Sequence, residues 1–160
     1  MFKLKVRDAG PEDAELILSL ITELARYEES EHHVVATHES ILKSLFSMDA
    51  TANALICSLD DKPIGYAVYF YNYSTWLGKN GLYLEDLYIS QDQRNCGAGK
   101  FLLKHLAQLA VEKGCGRFEW CVLDWNEPAI KFYEKIGAKP QNEWVIYRLS
   151  GDDLTTFANT

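Results

Sequence analysis

Two adjacent acids stand inside an otherwise apolar run of this 160-residue chain: Leu82-Tyr83-Leu84-Glu85-Asp86-Leu87-Tyr88-Ile89. Strict alternation puts Leu82, Leu84, Asp86 and Tyr88 on one face and Tyr83, Glu85, Leu87 and Ile89 on the other. A strand that is apolar on both faces is usually central and buried. A carboxylate there is costly unless it has a partner or lines a cavity. Glu85 therefore reads either as a structural ion-pair partner or as a proton acceptor. The next segment, Arg94-Asn95-Cys96-Gly97-Ala98-Gly99-Lys100, joins this run to a helix. A glycine loop entering a helix offers unpaired amides beside the positive end of the helix dipole, which is a phosphate site. A P-loop is excluded, because Arg94 stands where its first Gly belongs and Phe101 where Ser or Thr must follow. A dinucleotide fingerprint is excluded by Leu102 at its third Gly. Read alone, Gly97-x-Gly99 fits a structural helix entry as well as a binding loop.

The elements that must position these residues follow from periodicity. The spacing predicts a strand over 3–8 and a helix from Pro11 to about Tyr27, with Leu16, Ile17, Leu20, Ile21 and Leu24 on its apolar face. Thr37-His38-Glu39-Ser40 marks another helix start. Strands over 52–59 and 63–71 flank the turn Asp60-Asp61-Lys62, and a loop over 72–81 leads to the strand 82–89. A helix follows the glycine loop, then a strand over 117–123. A helix opened by Asn126-Glu127-Pro128 runs to Gly137, and a last strand covers 144–149. The fold class is α/β (α+β): one domain over 1–160, a mixed central sheet flanked by helices.

With these elements in place, Arg94-x-x-Gly97-x-Gly99 resembles the acetyl-CoA loop of the GCN5-related N-acetyltransferases. Tyr83-Leu84-Glu85-Asp86 and Trp125-Asn126-Glu127-Pro128-Ala129-Ile130-x-Phe132-Tyr133 are similar to the spermidine/spermine and thialysine N-acetyltransferase subfamily, as are Arg26-Tyr27-Glu28 and Trp76-x-Gly78-Lys79. The resemblance implies a sheet with a splayed strand at an acetyl-CoA site. It implies pyrophosphate binding by Arg94, Asn95, Cys96, Gly97, Ala98, Gly99 and Lys100. Leu87, Tyr88 and Ile89 would offer a backbone edge to the pantetheine, with Asn126 and Tyr133 near the pantetheine and the sulfur. Glu85 would act as base, the Leu87 amide as oxyanion donor and Tyr133 as general acid. Taken alone, Tyr133 reads as a core aromatic and Asn126 as an N-cap. Tyr27, Glu28, Ser74, Glu85, Asp86 and Trp144 would form the amine site, although Trp144 also fits an edge-strand aromatic. Ser74-Thr75-Trp76 resembles the thialysine branch, whereas polyamine-acetylating members carry an Asp in this loop. The expected substrate is thus a small lysine-like amine or diamine, acetylated by direct attack in a ternary complex. The alternative is a catalytically weak acetyl-CoA-binding sensor or interaction module. The resemblance also implies a homodimer with the C-terminal part near the partner.

Composition narrows the rest. Acids outnumber bases 23 to 16, giving a net charge of −7, which argues against nucleic acid and fits either ordinary solubility charge or a field that gathers a cationic substrate. No apolar run reaches the length of a membrane span, and Met1 to Arg7 alternates apolar and basic residues instead of forming a signal block, so a cytoplasmic protein is expected. Cys57, Cys96, Cys115 and Cys121 form no metal-ligand spacing and read as free thiols; no metal is expected. Cys96 lacks a His near it in sequence and does not read as a nucleophile. Adjacent His32 and His33 read as a solvated loop.

Overall fold

A computed structural model describes residues 1–160. The chain forms two compact units, Met1–Cys121 and Val122–Thr160, and each is described by itself.

The first unit is a five-stranded sheet in the order β1-β2-β3-β4-β5, with helices against it. Its elements are β1 (Leu4–Asp8), α1 (Ala14–Tyr27), α2 (His38–Phe46), β2 (Ala52–Leu59), β3 (Lys62–Ser74), β4 (Lys79–Ile89), α3 (Ala98–Glu112) and β5 (Phe118–Trp120). The first four strands are antiparallel neighbours, and β5 runs parallel to β4. Thr37 caps α2 as its sequence suggests: its hydroxyl accepts from the Ser40 amide at 3.1 Å while the Ser40 hydroxyl accepts from the Thr37 amide at 2.8 Å. Asp60 and Asp61, with φ of 47° and 68°, make the tight turn between β2 and β3. Ile17 and Leu20 of α1 and Ile41 of α2 pack on Ala54, Ile56, Tyr66 and Tyr88 of the sheet. Tyr69 and Tyr71 of β3 line a cleft on the opposite face, with His105 and Gln108 of α3.

Four expectations change. The segment 72–81 is not a loop: β3 extends to Ser74 and β4 begins at Lys79, so the two strands form one long hairpin closed near Gly78, whose φ is +62°. The strand expected over 117–123 is confined to Phe118–Trp120. The simple alternation of β4 also fails. Val68 pairs with Asp86 and Tyr69 pairs with Leu84, which leaves Glu85 without an opposite residue. This is a β-bulge, and it resets the phase of the strand. Because cross-strand pairs share a face, Leu82 and Leu84 lie with Tyr71 and Tyr69 on the α3 side. Asp86 and Tyr88 lie with Val68 and Tyr66 on the α1/α2 side.

The fourth change is in the second unit. It contains α4 (Glu127–Lys135) and α5 (Gly151–Ala158). The strand expected over 144–149 is not formed, since the segment joins no strand ladder. Its β-branched and aromatic side chains suit a strand, but a strand exists only with a partner edge. Trp144, Val145, Ile146 and Tyr147 are exposed. No helix of either unit is long and apolar enough to cross a membrane.

Candidate active site

The glycine loop has the backbone that phosphate binding needs. A 3-10 turn over Gln91–Gln93 leads into Arg94, Asn95 has a left-handed φ of 70°, and Gly97 takes the N-cap of α3 at φ +81°. A side chain at Gly97 would be strained by that conformation. Gly99 lies in the first turn of α3, and a Cβ added there would meet only Ile89 Cγ1, at 4.0 Å. The space beside Gly99 is open. The first main-chain bond of α3 is Phe101 N–H to Gly97 carbonyl at 2.9 Å, so the amides of Ala98, Gly99 and Lys100 lie before the intrahelical ladder. These features fit a pyrophosphate at the positive end of the helix dipole.

Arg94 has a partner set that its sequence did not reveal. Its Nε donates to the Ile89 carbonyl at 3.2 Å. Its guanidinium stacks over the Tyr27 ring at 4.6 Å and lies 5.4 Å from the Tyr88 ring centroid. The base of the loop is thereby tied to the ends of β4 and α1. Cys96 is exposed, and its thiol donates to the Gln93 carbonyl at 3.1 Å. All four cysteines are free thiols; burial pushes that of Cys57 up to about 11.

The edge of β4 is half open. β5 pairs only with Leu82, Tyr83 and Leu84, leaving Glu85 to Ile89 without a β5 partner. Leu87, Tyr88 and Ile89 lie on this stretch, and the Ile89 carbonyl already accepts from Arg94. The bulge at Glu85 coincides with the point where β4 and β5 part.

Beside this edge the carboxylates converge. Tyr66 is fully buried, and its hydroxyl donates to Asp86 Oδ2 at 2.7 Å. Burial, then Asp86, Glu28 and Glu85 in that order of size, push the Tyr66 phenol far up, so all three acids lie within electrostatic reach of one hydroxyl. Glu28 caps the C-terminus of α1, the end where the helix dipole disfavours an anion. Burial and the charge of Asp86 raise its pKa. Asp86 is also raised, by burial, which the Tyr66 hydrogen bond partly offsets. The cluster contains two proton-hungry carboxylates and a third, Glu85, that is exposed. Such a cluster stabilises a cation.

The structure thus brings together Glu28, Glu85 and Asp86, and places Tyr27 beside the loop through Arg94. It does not bring Ser74 to them. Ser74 is buried at the far end of the hairpin, six residues beyond Val68 or about 20 Å along β3. Its hydroxyl accepts from the Leu77 amide at 3.2 Å. Asn126, Tyr133 and Trp144 belong to the second unit. Asn126 holds the N-cap position of α4, Tyr133 is half-buried with its ring 5.7 Å from that of Phe132, and Trp144 is exposed. Sequence reasoning missed Tyr66. The available signal was a tyrosine in a buried strand, whose hydroxyl must find a partner. His32 and His33 are exposed, with their rings 4.0 Å apart.

The sequence model of the acetyltransferase (GNAT) family matches residues 17–138, and the chain belongs to this family. Within it, the chain is similar over its whole length to the thialysine N-epsilon-acetyltransferase of Caenorhabditis elegans, at 36% identity and 99% coverage of both chains. It is also similar to an L-ornithine N5-acetyltransferase of Arabidopsis thaliana, at 32% identity over 94% of this chain and 86% of that one. Among solved structures, an integron cassette protein from the mobile metagenome of V. cholerae superposes with a TM-score of 0.82 at 27% identity, covering 98% of each chain.

Proposed function

We propose that this chain is an acetyl-CoA-dependent N-acetyltransferase acting on the side-chain amine of a small lysine-like substrate, with diamines as the neighbouring class. The observation that carries the reading is the convergence of Glu28, Glu85 and Asp86 beside the open edge of β4. The two relatives named above act, by name, on thialysine and ornithine, which share an amine at the end of a short flexible chain.

Acetyl-CoA supplies an activated thioester. The amides of Ala98, Gly99 and Lys100, with the loop of Arg94, Asn95, Cys96 and Gly97 before them, would hold its pyrophosphate. The edge at Leu87, Tyr88 and Ile89 would hold its pantetheine, with Asn126 contributing from α4. An alkylammonium has a pKa near ~10.4 and must lose a proton to become a nucleophile. Glu85, exposed at the bulge, accepts that proton directly or through a water. The amine nitrogen then bonds to the acetyl carbon as the carbon–sulfur bond breaks. The Leu87 N–H donates to the carbonyl oxygen as it gains charge, and Tyr133 returns a proton to the departing thiolate. Glu28, Asp86 and the ring of Tyr27 receive the cationic substrate, and the family resemblance adds Trp144 to this set. Ser74 enters only through the thialysine-like stretch Ser74-Thr75-Trp76. The acetyltransferase domain spans 1–160 and acts in the cytoplasm. It works as a homodimer, which would cover the exposed apolar side chains between Trp144 and Leu149.

Mass spectrometry of products from acetyl-CoA and a panel of thialysine, lysine, ornithine, putrescine and spermidine tests the reading. Mono-acetylated lysine-like amines are expected first. A panel left unmodified, with acetyl-CoA bound, would favour the sensor alternative. Gly99→Val tests the loop: the open space beside Gly99 lets the chain fold, while acetyl-CoA affinity drops at least tenfold by calorimetry. Unchanged affinity would remove the loop from the cofactor site.

A further inference from the structure

We infer that Tyr66 is a positioning residue for amine recognition: its buried hydroxyl, donated to Asp86 Oδ2, holds the Asp86 carboxylate ionised and turned to receive the substrate cation. This rests on the acetyltransferase reading above and assigns that site a residue outside the expected set.

The geometry favours a one-way donor. Tyr66 is fully buried and sits opposite Tyr88 in the register of β3 and β4, packed on Ile17 and Leu20 of α1. A ring held on all sides fixes where its oxygen lies. The hydrogen bond to Asp86 is 2.7 Å, within the range for a hydroxyl donating to a carboxylate. Asp86 is the residue after the bulge, so the phase reset at Glu85 is what turns it to the face where Tyr66 waits. Without the bulge, Asp86 would lie on the opposite face with Leu84.

The charges around Asp86 explain why such a donor is needed. Glu28 approaches from the end of α1, Glu85 is adjacent on β4, and Tyr66 faces it from β3. Farther along, Tyr88 has Glu23 of α1 and Arg94 of the loop as neighbours, while Arg26 is paired with Glu31 at 2.7 Å. In the free protein, no ion pair joins Asp86 to a base. Burial favours its neutral form, and the Tyr66 hydrogen bond opposes it; the charge of Asp86 in turn raises Glu28. The phenol cannot reverse its role, because the same acids and its own burial keep its proton on. Tyr66 satisfies Oδ2 and leaves Oδ1 to accept from an ammonium.

The test is a double-mutant cycle of Tyr66→Phe and Asp86→Asn, read by initial rates with lysine and thialysine and by the ¹³C carboxyl titration of Asp86 in the free protein. Tyr66→Phe should raise amine KM about five- to tenfold and leave acetyl-CoA KM unchanged. It should move the acid limb of kcat/KM for the amine, and the Asp86 carboxyl titration, to higher pH. In the Asp86→Asn background the same change should alter amine KM less than twofold. An equal effect of Tyr66→Phe in both backgrounds, or an unmoved Asp86 titration, would overturn the inference. A wild-type protein that acetylates no amine would instead overturn the acetyltransferase reading. The carboxyl titration would then still decide whether Tyr66 controls the charge on Asp86.

Discussion

Asp13 and Asp86 lie on the same side of the same sheet and have opposite electrostatic fates. Asp13, at the start of α1, is buried and fully answered. Arg7 donates to both its oxygens, at 2.7 and 2.8 Å, and the Gly10 amide adds a third bond at 2.8 Å. The Arg7 bond holds its carboxyl below the ordinary aspartate range. Asp86 has one neutral hydroxyl for a partner and Glu28 for a neighbour, and its carboxyl is raised. The first arrangement joins β1 to α1 and does nothing else. The second stores an unmet need for positive charge. A carboxylate left under-compensated beside an open strand edge is what a cation site looks like before its ligand arrives.

The largest expected effect is on the answered side. Asp13→Ala should cost about 2–3 kcal/mol, because the charge-assisted bonds are lost and the Gly10 amide is orphaned. Denaturant melts check this, and acetyl transfer per folded molecule should be unchanged. Next, Asp86→Asn should lower kcat/KM for lysine-like amines about tenfold or more, read by initial rates, with acetyl-CoA KM unchanged. The same substitution should leave stability intact or raise Tm by a few degrees, since the amide keeps the Tyr66 bond and sheds the repulsion from Glu28. A large Tm loss in Asp86→Asn would erase the contrast with Asp13.

The smallest effect is on pH dependence, and its sign differs at the two sites. Asp13 is depressed, so its contribution is complete above the unfolded aspartate pKa of about 3.9 and is lost as pH falls through its lower folded value. Asp86 and Glu28 are raised, so they destabilise progressively as pH rises from about 4 through their folded values, and acidification relieves the cost. The stability advantage of Asp86→Asn should therefore shrink toward pH 4, while the deficit of Asp13→Ala should shrink only below it. Thermal melts across pH 3–8 separate the two.

Much of this contrast could be read in the sequence. Adjacent acids in an apolar run flagged Glu85 and Asp86, and Gly97-x-Gly99 before a helix flagged the loop. The Thr37–Ser40 cap and the hydrophobic face of α1 also follow from local chemistry. What stayed hidden depends on pairing. A bulge is a property of two strands, so the residues of β4 alone read as unbroken alternation, and Asp86 was assigned to the face of Leu84. Nothing local singles out Tyr66, because its partner is 20 residues away. The stack of Arg94 on Tyr27 stayed hidden because it depends on how α1 ends. The apolar run over 144–149 suits a strand, but the register that would complete one is absent from the chain's own ladders.

The central claim is that the under-compensated carboxylates mark the amine site. Calorimetric titration of thialysine into the coenzyme A-bound protein, for wild type and Asp86→Asn, tests it most directly. Thialysine should bind wild type and bind Asp86→Asn about tenfold or more weakly, with coenzyme A affinity the same in both. Equal thialysine affinity in the two proteins would contradict it.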